Sequence, residues 1–115
     1  MNASESNAIR VVRDSYRAFE TGDRELAERL LGEELRFHAP PDPELDREGY
    51  FERCWPNAGH LEAFELVRLF ERGEEVFVTY EARRSDGSRF RNTEVLTVRD
   101  GRIVEVEVYF GWDLD

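Results

Sequence analysis

The sequence has no lysine, and the sixteen Lys or Arg residues that it contains are all arginine. This absence excludes Schiff-base chemistry on a lysine amine and the lysine of phosphate-binding loops. The single cysteine, Cys54, excludes a disulfide within the chain. No apolar run is long enough to span a bilayer, and the first ten residues do not resemble a signal peptide. Together these absences predict a cytoplasmic protein.

Positive charge is also scarce relative to negative charge. The 115 residues carry a formal net charge of −10, and the sequence pI is near 4.7. Such a surface repels phosphate backbones and anionic lipid heads, so we expect neither nucleic acid nor a membrane as a partner. The apolar fraction of 40% is ordinary for a globular chain, and the length predicts one domain covering residues 1–115.

The N-terminal part of the sequence has the apolar spacing of helices. Between residues 4 and 20 apolar side chains recur three and four positions apart, which predicts one amphipathic helix. Ser4 or Ser6 is expected to cap its start, and Gly22 stands just past its end. Asp23 is expected to cap a second short helix.

A short strand and a third helix are predicted next. Residues 34–38 alternate mildly and indicate a strand, and the three prolines of residues 39–43 indicate an extended loop. Asp46 is expected to cap a third helix that closes at Pro56-Asn57. The broad aromatic face of that helix carries Tyr50, Phe51, Cys54 and Trp55.

From His60 onward the apolar period changes to two, which is typical of strands. Glycine-containing turn signals divide this part, and two of them are Asp-Gly pairs that favour tight hairpins. The expected strands are 61–71, 75–84, 88–99 and 102–111. Helices followed by an antiparallel meander predict an α+β fold with the helices on one face of the sheet.

Strand alternation predicts which side chains face the core. If Leu96 and Val98 point inward, then Asn92 and Glu94 point inward with them. A carboxylate on a buried face needs a partner or a proton, because an isolated buried charge is costly. Two interpretations stay open, namely a satisfied polar group, bonded by Asn92 or by a tyrosine, and a ligand-binding carboxyl group.

The opposite face of the sheet mixes charged and apolar residues. Its arginines and glutamates could pair across strands. Phe77, Val95 and Tyr109 interrupt the charges, which favours an interface over a fully solvated surface. We therefore expect a homodimer that associates through this outer sheet face.

Two stretches carry a family resemblance over nearly the whole chain. The first comprises residues 91–103, with their Asp100-Gly101 turn, and residues 106–112, and the second is Tyr16 to Asp23; both resemble the nuclear-transport-factor-2-like superfamily. Within it, the chain is similar to the SnoaL-like polyketide cyclases and the ketosteroid isomerases. The resemblance implies a cystatin-like, cone-shaped barrel in which three N-terminal helices pack on a curved, mainly antiparallel sheet. It also implies homodimers formed through the outer sheet face.

The resemblance further implies three catalytic candidates. Ketosteroid isomerases place a general-base carboxylate at the end of the first short strand, and here His38 stands near that position. Glu94 matches a second acid of those enzymes, which stays protonated and donates to an oxyanion. Tyr16 is the nearest candidate for their oxyanion-binding tyrosine. His38 and Glu94 could then move a proton next to a carbonyl group.

The expected pocket wall is aromatic and apolar, which suits a flat, largely apolar molecule of polyketide or steroid type. We expect no metal and no cofactor. An isomerase, cyclase or hydratase, a non-catalytic binding protein, and a dimeric interaction module with a self-filled pocket all stay open. The candidate ligand-binding residues are Phe19, Phe37, Tyr50, Cys54, Trp55, Val78, Tyr80, Asn92, Val106, Val108, Phe110 and Trp112.

Overall fold

The computed structural model describes residues 5–61 and 63–114, so that Ser4, one of two expected helix caps, lies outside the described residues. Within these ranges the chain forms three α-helices, a short 3₁₀ helix and six strands. The elements are α1 (Asn7–Thr21), α2 (Arg24–Leu30), β1 (Leu31–Ala39), β2 (Asp42–Asp46), α3 (Arg47–Arg53), the 3₁₀ helix (Trp55–Asn57), β3 (Ala63–Arg72), β4 (Glu75–Arg83), β5 (Arg89–Arg99) and β6 (Arg102–Asp113).

The three α-helices begin at side-chain caps that the sequence predicted. Each cap accepts a hydrogen bond from the main-chain N–H three residues on, at 3.1 Å for Ser6, 3.2 Å for Asp23 and 2.8 Å for Asp46. These bonds satisfy donors that a helix start leaves unpaired. Gly22 ends α1 at a φ of 74°, a left-handed conformation that glycine adopts without strain.

The strands form one sheet in the order β2-β1-β6-β5-β4-β3. Neighbours are antiparallel except β1 and β6, which run parallel. The four-strand meander is as predicted, but β2 lies where an extended loop was expected. Residues 42–46 pair with β1 at the edge of the sheet, where Pro43 is tolerated because its missing N–H removes no bond from an inner ladder.

The core lies between the helices and the inner face of the sheet. The largest fully buried side chains there are Val12, Leu35, Val76, Val78 and Ile103. Alternate residues of β4 are buried, as period-two patterning requires. The predicted α+β class and its cone-like, mostly antiparallel sheet are confirmed. No helix in the described ranges has the length and apolar character that crossing a membrane requires.

Two register shifts in β6 change which face its residues present. Thr97 pairs with Glu105 but Val98 pairs with Ile103, so one extra residue lies between the partners in β6. A second extra residue, Gly111, lies near the end of the strand, where Asn92 pairs with Phe110. Such bulges bend a strand and reverse the face of every residue that follows them.

Candidate ligand-binding cavity

A cavity of about 530 Å³ opens between the helices and the inner face of the sheet. Its deep wall consists of buried residues from α1, β1, β4, β5 and β6, whereas exposed residues such as Pro41, Arg84 and Ser85 surround its mouth. Apolar surface predominates, as is usual for sites that bind small molecules. The predicted wall residues that line it are Phe19, Phe37, Tyr50, Cys54, Trp55, Tyr80, Asn92, Val106, Val108 and Phe110.

The carboxyl group of Glu94 lies deep on the cavity wall and accepts two tyrosine hydrogen bonds. The Tyr16 hydroxyl donates to Oε1 at 2.6 Å, and the Tyr80 hydroxyl donates to Oε2 at 3.1 Å. Burial raises the pKa of Glu94 because it disfavours the charged form, and the two hydrogen bonds oppose that rise. The structure therefore brings the candidates Tyr16 and Glu94 together.

Asn92 connects this pair to the main chain. Its Nδ2 donates to the Tyr80 hydroxyl at 3.2 Å, and its Oδ1 accepts from the N–H of Gly111 at 3.1 Å. Because a main-chain donor occupies Oδ1, the amide nitrogen must point towards Tyr80. The Tyr80 hydroxyl thus accepts one hydrogen bond from Asn92 and donates another to Glu94. The interpretation in which a tyrosine satisfies the carboxyl group describes this geometry.

Aromatic rings hold the polar groups in place. Tyr16 and Tyr80 both pack against Phe64, with ring centroids 5.4 and 4.8 Å apart. Among the other lining residues, Phe19 packs edge-on against Trp55 with ring centroids 5.8 Å apart. Burial and the nearby Glu94 charge raise the pKa of both tyrosines, so their hydroxyls remain donors near neutral pH.

His38 lies elsewhere, and the expected His38–Glu94 pair does not form. Phe37 points into the cavity, so the next residue of the strand points to the outer face of the sheet. There the His38 ring contacts the Pro43 carbonyl at 2.9 Å and the Glu105 carboxylate at 3.0 Å. The Pro43 carbonyl, with a smaller contribution from Glu105, raises the pKa of His38.

Two expected wall residues also lie away from the cavity. Val78 is fully buried in the core and does not reach the cavity surface. Trp112 is 63% exposed on the outer face, where the Arg91 guanidinium lies 5.7 Å from its ring centroid. The bulge at Gly111 explains this correction, because it moves Trp112 out of the alternation that brings Phe110 inward.

Several cavity residues were not predicted from the sequence. Ile103 lines the deep wall because the first bulge of β6 brings it inward. The mouth contains His60 and an ion pair between Arg53 and Asp42 at 2.9 Å. These mouth residues lie in or next to loops and follow no periodic pattern. Within the described ranges no group of three or more His, Cys, Asp or Glu side chains is arranged to hold a metal ion.

Solved structures share this fold at low sequence identity. A candidate ketosteroid isomerase from Kribbella flavida is 19% identical, with a TM-score of 0.81 over 95% of this chain and 81% of that one. An epoxide hydrolase from M. tuberculosis, described as LEH-like, is 22% identical, with a TM-score of 0.73 over 91% and 83%. IdmH, a candidate polyketide cyclase from Streptomyces antibioticus, is 23% identical, with a TM-score of 0.69 over 90% and 91%.

At these identities the likeness establishes the fold alone. No curated protein matches the sequence. The family model described as a SnoaL-like domain matches residues 12–106, which is most of the chain. The matched range includes both Tyr16 and Glu94, and it extends from α1 into β6. This protein therefore belongs to the SnoaL-like family of the nuclear-transport-factor-2-like fold.

Proposed function

We propose that this protein binds a small, flat and largely apolar molecule in its cavity and that Glu94 exchanges a proton with it. The observation that carries the proposal is the Glu94 carboxyl group, which lies on an apolar cavity wall with a tyrosine donor on each oxygen. A carboxyl group in such surroundings is a common acid–base catalyst.

The environment of Glu94 suits transfer of a proton in either direction. Burial favours its neutral form, whereas the hydrogen bonds from Tyr16 and Tyr80 favour its charged form. Opposed effects of this kind keep a carboxyl group available as an acid and as a base. The aromatic walls support a flat ligand, and the similar structures named as isomerase and cyclase support one of steroid or polyketide type.

Proton exchange on a simple flat ketone tests the proposal. We expect the protein to accelerate the exchange of the α-protons of 2-tetralone for deuterium in D₂O, followed by proton NMR. Glu94→Gln keeps the shape of the side chain but cannot transfer the proton, so it should lose about 100-fold or more of the acceleration. Glu107→Gln, on the outer face, is the matched control and should retain it. Equal rates in the two variants would contradict the proposal.

A non-catalytic binding protein is the second candidate. Both oxygens of Glu94 already accept hydrogen bonds without any ligand, which a purely structural carboxyl group would also do. In that case 2-tetralone would bind to the wild-type protein and to Glu94→Gln without faster exchange in either. The cavity of about 530 Å³ gives no support to a self-filled interaction module.

We also propose that two copies associate through the outer sheet face. Phe70, Tyr109 and Trp112 are each more than half exposed on that face, at 62%, 54% and 63%. Apolar side chains grouped on a sheet face are typical of interfaces. The cytoplasmic location remains a prediction from the sequence.

A further inference from the structure

The Tyr50 hydroxyl differs from the other two tyrosine hydroxyls of the cavity. The hydroxyls of Tyr16 and Tyr80 each donate a hydrogen bond to Glu94. In the described part of the chain, no side chain or main-chain group forms a hydrogen bond with the Tyr50 hydroxyl, and it is not sealed from solvent. Tyr50 lines the cavity, so its hydroxyl is the tyrosine donor that remains available to a ligand there.

The ring of Tyr50 is held by its neighbours. It packs against Phe37 with centroids 5.0 Å apart and against Phe51 with centroids 5.4 Å apart. Phe51 is itself buried beneath the guanidinium of Arg24, which lies 4.3 Å from its ring centroid. A donor on a ring fixed in this way has its position set before a ligand arrives.

The state of the hydroxyl also suits a donor. Burial, and then the nearby charge of Glu94, raise the pKa of Tyr50, so the phenol keeps its proton across the neutral range. Just past the end of α3, burial raises the pKa of the Cys54 thiol to about 11, so this neighbour also remains protonated. This side of the cavity therefore offers donors, whereas Glu94 offers an acceptor with a titratable proton.

We propose that Tyr50 is the residue that selects ligands carrying a carbonyl or similar acceptor oxygen, by donating its free hydroxyl to that oxygen. The inference rests on the proposed function and assigns the donor role to Tyr50 in place of Tyr16, the residue that the sequence suggested. A ligand without an acceptor would remove water from the Tyr50 hydroxyl and leave it unpaired, which weakens binding. The cavity therefore discriminates between molecules of equal size and apolar surface.

Two molecules of matched shape test the role of Tyr50. 2-Acetylnaphthalene and 2-ethylnaphthalene share the same ring system, but only the first has an acceptor oxygen. We expect the wild-type protein to bind the acetyl compound about tenfold more tightly, as measured by equilibrium dialysis, since one hydrogen bond separates the two. In Tyr50→Phe that preference should disappear, because the acetyl compound loses its donor and the ethyl compound no longer leaves a hydroxyl unpaired, so that the ethyl compound binds more tightly than to the wild-type protein. Tyr109→Phe removes an exposed hydroxyl and is the matched control, expected to keep the preference.

Each result bears on a different part of the argument. If Tyr50→Phe keeps the preference, or weakens both compounds equally, Tyr50 does not select the oxygen and the inference is overturned. Loss of the preference in Tyr16→Phe but not in Tyr50→Phe overturns it as well, and assigns the donor to Tyr16. In those cases the compounds still bind, so the proposed function survives. If neither compound binds to wild-type protein, the proposed binding of flat apolar molecules fails, and the inference fails with it. Thermal unfolding of Tyr50→Phe verifies that the fold is retained.

Discussion

The carboxyl group of Glu94 affects both the stability of the protein and the chemistry proposed for the cavity. It lies among apolar residues, and its oxygens accept hydrogen bonds from Tyr16 and Tyr80. A hydrogen-bonded carboxyl group in the protein interior costs much less than an unpaired one. The free energy that burial of Glu94 still costs depends on whether its carboxyl group is ionised, and therefore on pH.

We predict that Glu94→Gln changes how stability depends on pH. Burial raises the folded-state pKa of Glu94 above its ordinary value of 4.5. The folded state then binds more protons than the unfolded state, so stability falls as pH rises from 4.5 through the raised pKa. Glutamine does not titrate and removes this loss. Urea unfolding between pH 4 and 8 measures the effect, and parallel curves for the two proteins would contradict it.

We predict that Gly111→Ala destabilises the protein by about 3 kcal/mol or more, because the added Cβ would clash with the main chain. A Cβ on Gly111 would lie 2.0 Å from the Arg91 carbonyl oxygen. Moving the strand apart would also break the bond that orients Asn92. Asp113→Ala, two residues on, removes only a loose exposed ion pair of 3.7 Å and is a control expected to change stability by less than about 1 kcal/mol. A Gly111→Ala variant as stable as the control would show that the bulge tolerates a side chain.

The same bulge explains which side chains could be placed from the sequence. Alternation along β5 predicts Asn92 and Glu94 on the inner face, because that part of the strand is regular. It fails for Trp112, which follows an inserted residue. A glycine inside a strand pattern does indicate a bulge, so Gly111 was the available signal. A tyrosine bonded to Glu94 was one of the predicted alternatives, but the sequence could not show which tyrosines donate, since Tyr16 lies 78 positions away.

At the scale of secondary-structure elements, α3 determines the position of Tyr50, and its start depends on Asp46. We predict that Asp46→Ala lowers the free energy of unfolding by about 1 kcal/mol, because the N–H of Gly49 loses its partner. Asp46→Asn retains an acceptor oxygen and is the matched control. Urea unfolding measures the free energy of unfolding. If Asp46→Asn lowers it as much as Asp46→Ala does, the effect comes from the lost negative charge and not from the lost cap.

Helices and hairpins were predictable because their signals are local. Caps stand within three residues of the bonds they form, and the Asp-Gly turns adopt the positive φ expected, at 90° for Gly87 and 78° for Gly101. The pairing of β2 with β1 is not encoded by any short sequence pattern. The same holds for the parallel pairing of β1 with β6, which joins strands far apart in the sequence. His38 was wrongly expected in the cavity because the sequence does not show which face of β1 the helices cover.

For the whole molecule, one sheet carries two surfaces of different character. The inner face holds the cavity, and the outer face holds ion pairs such as Arg91–Glu81 beside exposed aromatic rings. Patterning predicts both faces, and hence the fold. It cannot name the ligand, because one fold supports many chemistries and the specificity lies in a few side chains brought together by the topology.

The outer face also leads to a prediction about assembly. An acidic chain of net charge −10 repels a second copy, so association requires apolar contact to outweigh that repulsion. We expect a dimer in sedimentation equilibrium at physiological salt, and Trp112→Glu should dissociate it because a new carboxylate would be buried between the copies. Trp112 lies outside the cavity, so the variant should still bind 2-tetralone. Arg29→Glu, at an exposed position of α2, controls for added negative charge and should remain dimeric. A wild-type monomer, or a dimer that survives Trp112→Glu, would place any interface elsewhere and leave the aromatic rings of the outer face as solvent-exposed surface.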